Sequence, residues 1–239
     1  MAFITPAVLP SSRTDLEGKL SLLALISAVS RIQIDIVDGA FAEPASWPYS
    51  TPNESRAFAE SDKMLPHLER IAYEVDLMCI DAERAAEVWL TLGATRLTFH
   101  AESATDLGRL FATVRRRYGA GDGFVPGLIS FGIALNLASD LALIEPYIGE
   151  IEYVQFMGIA RIGRQGQPLD RRVFEKVRVF RARHPETPVQ VDGGVSLDSA
   201  KELVALGVSN LVVGSALLRA RDPAAVFAAL EMLKGSYGV

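Results

Sequence analysis

Val189-Gln190-Val191-Asp192-Gly193-Gly194-Val195 is followed, one helix-length later, by Leu211-Val212-Val213-Gly214-Ser215-Ala216, and this pair of segments decides the fold. Each is a short run of branched apolar residues that closes on glycine. Runs of this kind read as strands buried on both faces, the pattern of a parallel sheet. The Gly-Gly and Gly-Ser at their carboxyl ends leave backbone N–H groups free, and free amides beside a helix start hold phosphate. In an eight-stranded α/β barrel, phosphate most often sits on the loops after strands seven and eight, and the active-site residues come from the same face. Asp192 therefore points at whatever carries the phosphate. Tight turns and a helix cap are the plainer alternative for the same residues.

Working outward, further strand patterns lie near residues 3–9, 32–37, 75–79, 96–99, 132–135 and 153–157, with helical periodicity over 15–29, 82–92, 107–117, 169–183, 197–206 and 223–233. Thr14 or Asp15, Asp81, Thr105, Ser139 and Ser196 stand where helix caps belong. Strand and helix alternating in this way predict an α/β protein, a single (β/α)8 TIM barrel spanning residues 1–239 as one domain. Two long connections stand out as binding loops. One runs from Gly39 to about Glu60 and carries Trp47 and Tyr49, read as a cover for substrate or a contact with a neighbouring subunit. The other, Gly158 to Pro168, can lay Arg161 or Arg164 over an anion.

Composition narrows the function classes. A net charge of −5 argues against a nucleic-acid partner. No apolar run is long enough to span a bilayer and no signal-peptide pattern opens the chain, so the expectation is a cytoplasmic protein with no membrane partner. The single cysteine, Cys79, excludes an internal disulfide or a cysteine metal cluster and reads as a small core residue. His67 and His184 read as surface residues, and His100 either faces the site or is a hydrogen-bonded core histidine.

Carboxylates gather at strand ends. In Ile32-Gln33-Ile34-Asp35-Ile36-Val37-Asp38-Gly39, alternation places Gln33, Asp35 and Val37 on one side, and Asp76 sits likewise in Val75-Asp76-Leu77-Met78. With Asp192 they can meet on the barrel axis, where such a set binds a hard divalent cation or keeps one carboxyl protonated for proton transfer.

These motifs, taken in order, resemble the ribulose-phosphate 3-epimerase family over nearly the whole chain. Ile4-Thr5-Pro6-Ala7-Val8-Leu9, Ile34-Asp35-Ile36-Val37-Asp38-Gly39-Ala40-Phe41, Asp76-Leu77-Met78, Phe99-His100-Ala101-Glu102, Gly132-Ile133-Ala134-Leu135-Asn136, Gly166-Gln167, Val191-Asp192-Gly193-Gly194 and Gly214-Ser215-Ala216 carry the likeness. The resemblance implies epimerisation of a phosphorylated ketose, ribulose 5-phosphate to xylulose 5-phosphate or a close variant, through an enediolate. Asp35 and Asp192 match the acid/base pair. Gly193, Gly194, Gly214, Ser215 and Gly166 match the phosphate contacts, and Met78 and Met157 match the family's methionines near the enediolate. The family's metal site uses two histidines and two aspartates, but Gln33 and Asp76 stand at the histidine positions. A site of Asp35, Asp76, Asp192 and Gln33 is all oxygen, favouring Mg²⁺ or Mn²⁺ over Zn²⁺, or holding no metal. The strand-six loop carries Ala160-Arg161-Ile162-Gly163 in place of the family's Asn-Pro-Gly-Phe. The alternatives are an Mg²⁺-dependent ketose-phosphate lyase or decarboxylase, against which Met78 stands at a lysine position, and a barrel that binds phosphosugars without catalysis. A homo-oligomer is expected.

Overall fold

In Arg31–Val37, isoleucines at 32, 34 and 36 pack outward into the main hydrophobic core, while Gln33 and Asp35 turn to the barrel axis. The same alternation runs through every strand and forces helices onto the outer face. The computed structural model describes residues 3–51, 54, 58, 64–118 and 128–233. Its strands are β1 (Phe3–Val8), β2 (Arg31–Val37), β3 (Ala72–Met78), β4 (Ala94–His100), β5 (Ser130–Leu135), β6 (Tyr153–Met157), β7 (Val189–Asp192) and β8 (Asn210–Val213). They pair in parallel and in sequence order, and β8 returns to β1 to close a (β/α)8 TIM barrel. Register sets Asp35 beside Asp76 and Met157 beside Asp192, all near the carboxyl ends of their strands.

The helices are α1 (Arg13–Ala24), α2 (Ala82–Thr91), α3 (Leu107–Tyr118), α4 (Arg172–Arg183), α5 (Leu197–Ala205), α6 (Ser215–Leu218) and α7 (Pro223–Met232). Asp81 and Ser196 cap their helices as the sequence predicts, Ser196 in a reciprocal box with Ser199. Elsewhere the cap shifts by a residue or two. Ser12 caps α1, and Asp106 takes the place of Thr105 by accepting the Arg109 N–H at 2.9 Å. The expected helix start at Leu169 moves to Arg172, whose N–H is held by the Asp170 carboxylate at 3.0 Å. Between β5 and β6 the chain makes only two 3-10 turns, Leu141–Leu143 and Glu145–Glu150; Asp140, not Ser139, caps the first, and Pro146 opens the second. Among the described residues no helix is long and apolar enough to cross a membrane.

Trp47 is neither a substrate cover nor a subunit contact. Its side chain is fully buried, edge-on to Phe58 at 4.5 Å, with Nε1–H donating to Glu54 at 2.9 Å. The loop after β2 thus roots itself in the core through an aromatic anchor. Tyr49 packs, partly buried, against the same core. Cys79 is buried as expected, and burial pushes its thiol well above the usual range.

The barrel axis is polar. Arg96 donates to Glu74 at 2.9 Å and lies over the Tyr153 ring at 3.3 Å. The Tyr153 and Thr98 hydroxyls hydrogen-bond at 2.7 Å, and Thr5 donates to Asn210 at 2.8 Å. Gln190 sits at the hub: its N–H₂ group reaches Gln33 Oε1 at 3.1 Å, Gln155 Oε1 at 2.6 Å, and Glu74. A buried network of this kind is tolerated because its members satisfy one another, and once satisfied it fixes side-chain orientation. Gly132 is part of the fit, since a Cβ there would fall 2.2 Å from the Tyr153 ring.

Candidate active site

Three strand ends deliver three carboxyls to one place: Asp35 from β2, Asp76 from β3 and Asp192 from β7. Each offers an oxygen within 4.8 Å of the others. Gln33 ties two of them together, its Nε2 donating to Asp35 Oδ1 and to Asp192 Oδ2, each at 2.8 Å. Its own carbonyl accepts from Gln190, so the network behind it decides which end of the amide faces the carboxyls. Gln33 therefore presents N–H, not oxygen, to the centre. Asp76 is engaged on both oxygens, by His100 Nε2 at 3.0 Å and Gln155 Nε2 at 3.1 Å. Of the two readings of His100, the structure shows a buried histidine bonded to a site carboxylate.

Burial dominates the electrostatics. It raises Asp35 to about 8, with the Asp76 charge adding to the shift and the Gln33 bond opposing it. Asp192 is pushed well up by burial and by the charges of Asp35 and Asp76. Burial works against a charged His100, but the Asp76 carboxylate outweighs it and raises the imidazole. Two carboxyls this close disfavour each other's ionisation.

The cleft above these groups is lined by Ala7, Met78, Met157, Ile159, Gly193 and Ser215 among others. Gly166, Gly194 and Gly214 line it too, so the residues expected to hold phosphate and those expected to move protons share one cavity. The turn after β7 depends on glycine: Gly193 and Gly194 have φ of +102° and +70°, and a Cβ on Gly194 would meet the Leu169 backbone nitrogen at 2.3 Å.

The β6–α4 loop closes the mouth. Ile162, like Leu9 and Phe41, packs against the cluster of Val37, Ala42 and Met78, and Arg164 donates to the Glu43 carbonyl at 2.9 Å. Arg164 lines the cleft, whereas Arg161 is exposed outside it. Asp38 lies apart from the carboxyl centre and orders the β2 loop, accepting from the N–H groups of Ala40, Phe41 and Ile80. Sequence reasoning missed Gln190, Glu74, Gln155 and Arg96, although each occupies an inward position by the alternation that placed Gln33 and Asp35. It also missed Gln165, which enters the cleft from the β6–α4 loop.

Comparison with known proteins bears on this geometry. The model of the ribulose-phosphate 3 epimerase family matches residues 4–218. The chain belongs to that family. Among epimerases so named, the Mycobacterium leprae protein is 29% identical over 98% of this chain and 95% of its own, and the Schizosaccharomyces pombe protein 23% over 96% and 92%. The epimerase relatives are isomerases by name. Solved structures of KGPDC from Streptococcus mutans (TM-score 0.68, 15% identity, all of both chains) and of 3-hexulose-6-phosphate synthase from Salmonella typhimurium (TM-score 0.66, 14% identity, 99% of this chain and 100% of that one) share the barrel, and at that identity the likeness is one of fold.

Proposed function

We propose that this epimerase-family chain interconverts the C3 epimers of a phosphorylated ketose, ribulose 5-phosphate and xylulose 5-phosphate or a close variant. The observation that carries the reading is the pair Asp35 and Asp192, buried, bridged by one amide and sharing a cavity with glycine turns suited to phosphate. Asp35 removes the C3 proton from one face of the sugar, and Asp192 returns a proton to the opposite face of the planar enediolate. A non-stereospecific outcome needs a carboxyl on each side, and the raised proton affinity of the pair suits one base and one acid at neutral pH. The Gly193, Gly194, Gly214 and Ser215 backbone would hold the phosphate, and the closed β6–α4 loop excludes water that would otherwise protonate the enediolate at random. Met78 and Met157 line the space beside it with soft apolar surface.

Members of the family take a divalent metal, and the residues here fit one. Asp35, Asp76 and Asp192 form a hard, all-oxygen set suited to Mg²⁺ or Mn²⁺ rather than Zn²⁺. When bound, such an ion stabilises negative charge developing on the enediolate oxygens. The Gln33 amide supplies a neutral donor at the same centre, bridging the two acid/base carboxyls.

Incubating the protein with ribulose 5-phosphate in D₂O and following C3 by NMR tests the reading. Deuterium should enter C3 as xylulose 5-phosphate forms, and Asp35→Asn or Asp192→Asn should slow this by ~10²–10⁴-fold. Carbon–carbon cleavage in place of exchange would make the protein a lyase and sink the epimerase reading.

A further inference from the structure

Gln165 is a long side chain in a loop otherwise made for closing over a ligand. It projects from the β6–α4 loop into the cleft and is partly buried there. Its Nε2 lies 3.5 Å from the Ala7 carbonyl at the end of β1, and the Asp35 carboxyl lines the same cleft. The same nitrogen stands 2.9 Å from the point a Cβ on Gly214 would occupy. One amide thus reaches from the turn after β8 to the acid/base centre, across the space a substrate's carbon chain must fill.

What holds Gln165 there is the loop rather than its own bonds. Gln167 donates to the carbonyls of Arg161 and Arg164, Arg164 donates to Glu43, and Ile162 and Gly163 pack on Val37 and Ala42. The amide's own contact with Ala7, at 3.5 Å, is at the long limit for a hydrogen bond. A donor placed by loop closure and loosely bonded exchanges its partner for a ligand oxygen at little cost.

We propose that Gln165 is the loop's substrate-reading residue. With a phosphorylated ketose in the cleft, its amide leaves Ala7 and donates to the sugar oxygen that lies between the phosphate and the carbon facing Asp35. This rests on the phosphosugar reading of the cleft and adds to it the group that distinguishes a sugar phosphate from a bare anion. Inorganic phosphate lacks that sugar oxygen, so its binding rests less on the amide.

Calorimetric titration of wild type and Gln165→Ala with ribulose 5-phosphate and, separately, with inorganic phosphate tests the assignment. The variant should bind the sugar phosphate about tenfold more weakly, the size of one lost hydrogen bond, and lose distinctly less toward inorganic phosphate. Equal weakening toward both ligands would show that Gln165 only tethers the loop, and equal affinity for both in variant and wild type would show that the amide reads nothing; either overturns the proposal alone. A wild-type protein that does not bind ribulose 5-phosphate overturns the phosphosugar reading and the proposal with it.

Discussion

At the residue scale the centre of this protein is an amide between two acids. Gln33 donates both of its N–H bonds to carboxyls that burial would otherwise leave poorly solvated, and Gln190 holds it in that orientation from below. Replacing it with an apolar residue of similar reach removes the Gln33 donor from two buried acceptors, Asp35 and Asp192, while Gln190 keeps Gln155 and Glu74. Gln33→Leu is therefore expected to cost about 1–3 kcal/mol of stability in urea unfolding. Much of that cost should vanish in a Gln33→Leu, Asp35→Ala double variant, because the first cost is one of unpaired neighbours. Additive losses would show that Gln33 is merely a packed side chain. Strand alternation made the positions of Gln33, Asp35, Asp76 and Asp192 legible in the sequence. It could not show which end of the Gln33 amide faces the acids, since that is settled by Gln190, distant in sequence and brought near only by barrel closure.

Elements were legible where their signals are local and tertiary contact agrees with them. All eight strands fall where two-sided apolar runs predict. The helix start expected at Ser139 gives way to 3-10 turns, with Pro146 at the start of the second. Trp47 was misplaced for a different reason: a proline-rich loop reads as surface, yet its aromatic ring fills a hole in the core that only the folded chain creates. The start of α1 shows how local charge sets an element's pH response. Asp15 accepts from the Ser11 N–H at 2.8 Å and from Lys19 at 2.7 Å. Burial pushes its carboxyl up, but these bonds prevail and hold it below the ordinary range. An acid with a depressed folded pKa stabilises the protein above its unfolded value, about 3.9, and loses that contribution as pH falls through the folded one. Asp15→Asn should thus lower stability by about 0.5–1 kcal/mol at pH 7, a figure held down by solvent screening of this half-exposed group. The gap to wild type should close toward pH 2. Parallel denaturation curves across that range would refute the role given to Asp15.

At the scale of the whole molecule, the barrel interior is short of positive charge. Asp35, Asp76, Asp192 and Glu74 are buried along one axis, against Arg96, the largely buried Arg31 and the imidazole of His100. Carboxyls in such surplus must take up protons, bind a cation, or be discharged by the surrounding fold, because an unpaired buried charge costs several kcal/mol. The glycine turns and polar network keep the strand ends in place for this centre whichever neutralisation prevails, so the choice shows in stability before it shows in catalysis. If the three aspartates form a cation site, Mg²⁺ or Mn²⁺ at a hundred times its dissociation constant adds about 2.7 kcal/mol, which for a chain of this size is a rise of roughly 5–10 °C in Tm over protein in chelator. Asp76→Asn should remove most of that rise while leaving Tm in chelator unchanged or higher, since one of the crowded carboxyls is gone. Calorimetric melts of both proteins with and without the cations decide it. The same Tm in metal and in chelator for wild type would mean that protons and the Gln33 amide alone balance the centre, and that acid/base chemistry here proceeds without a bound ion.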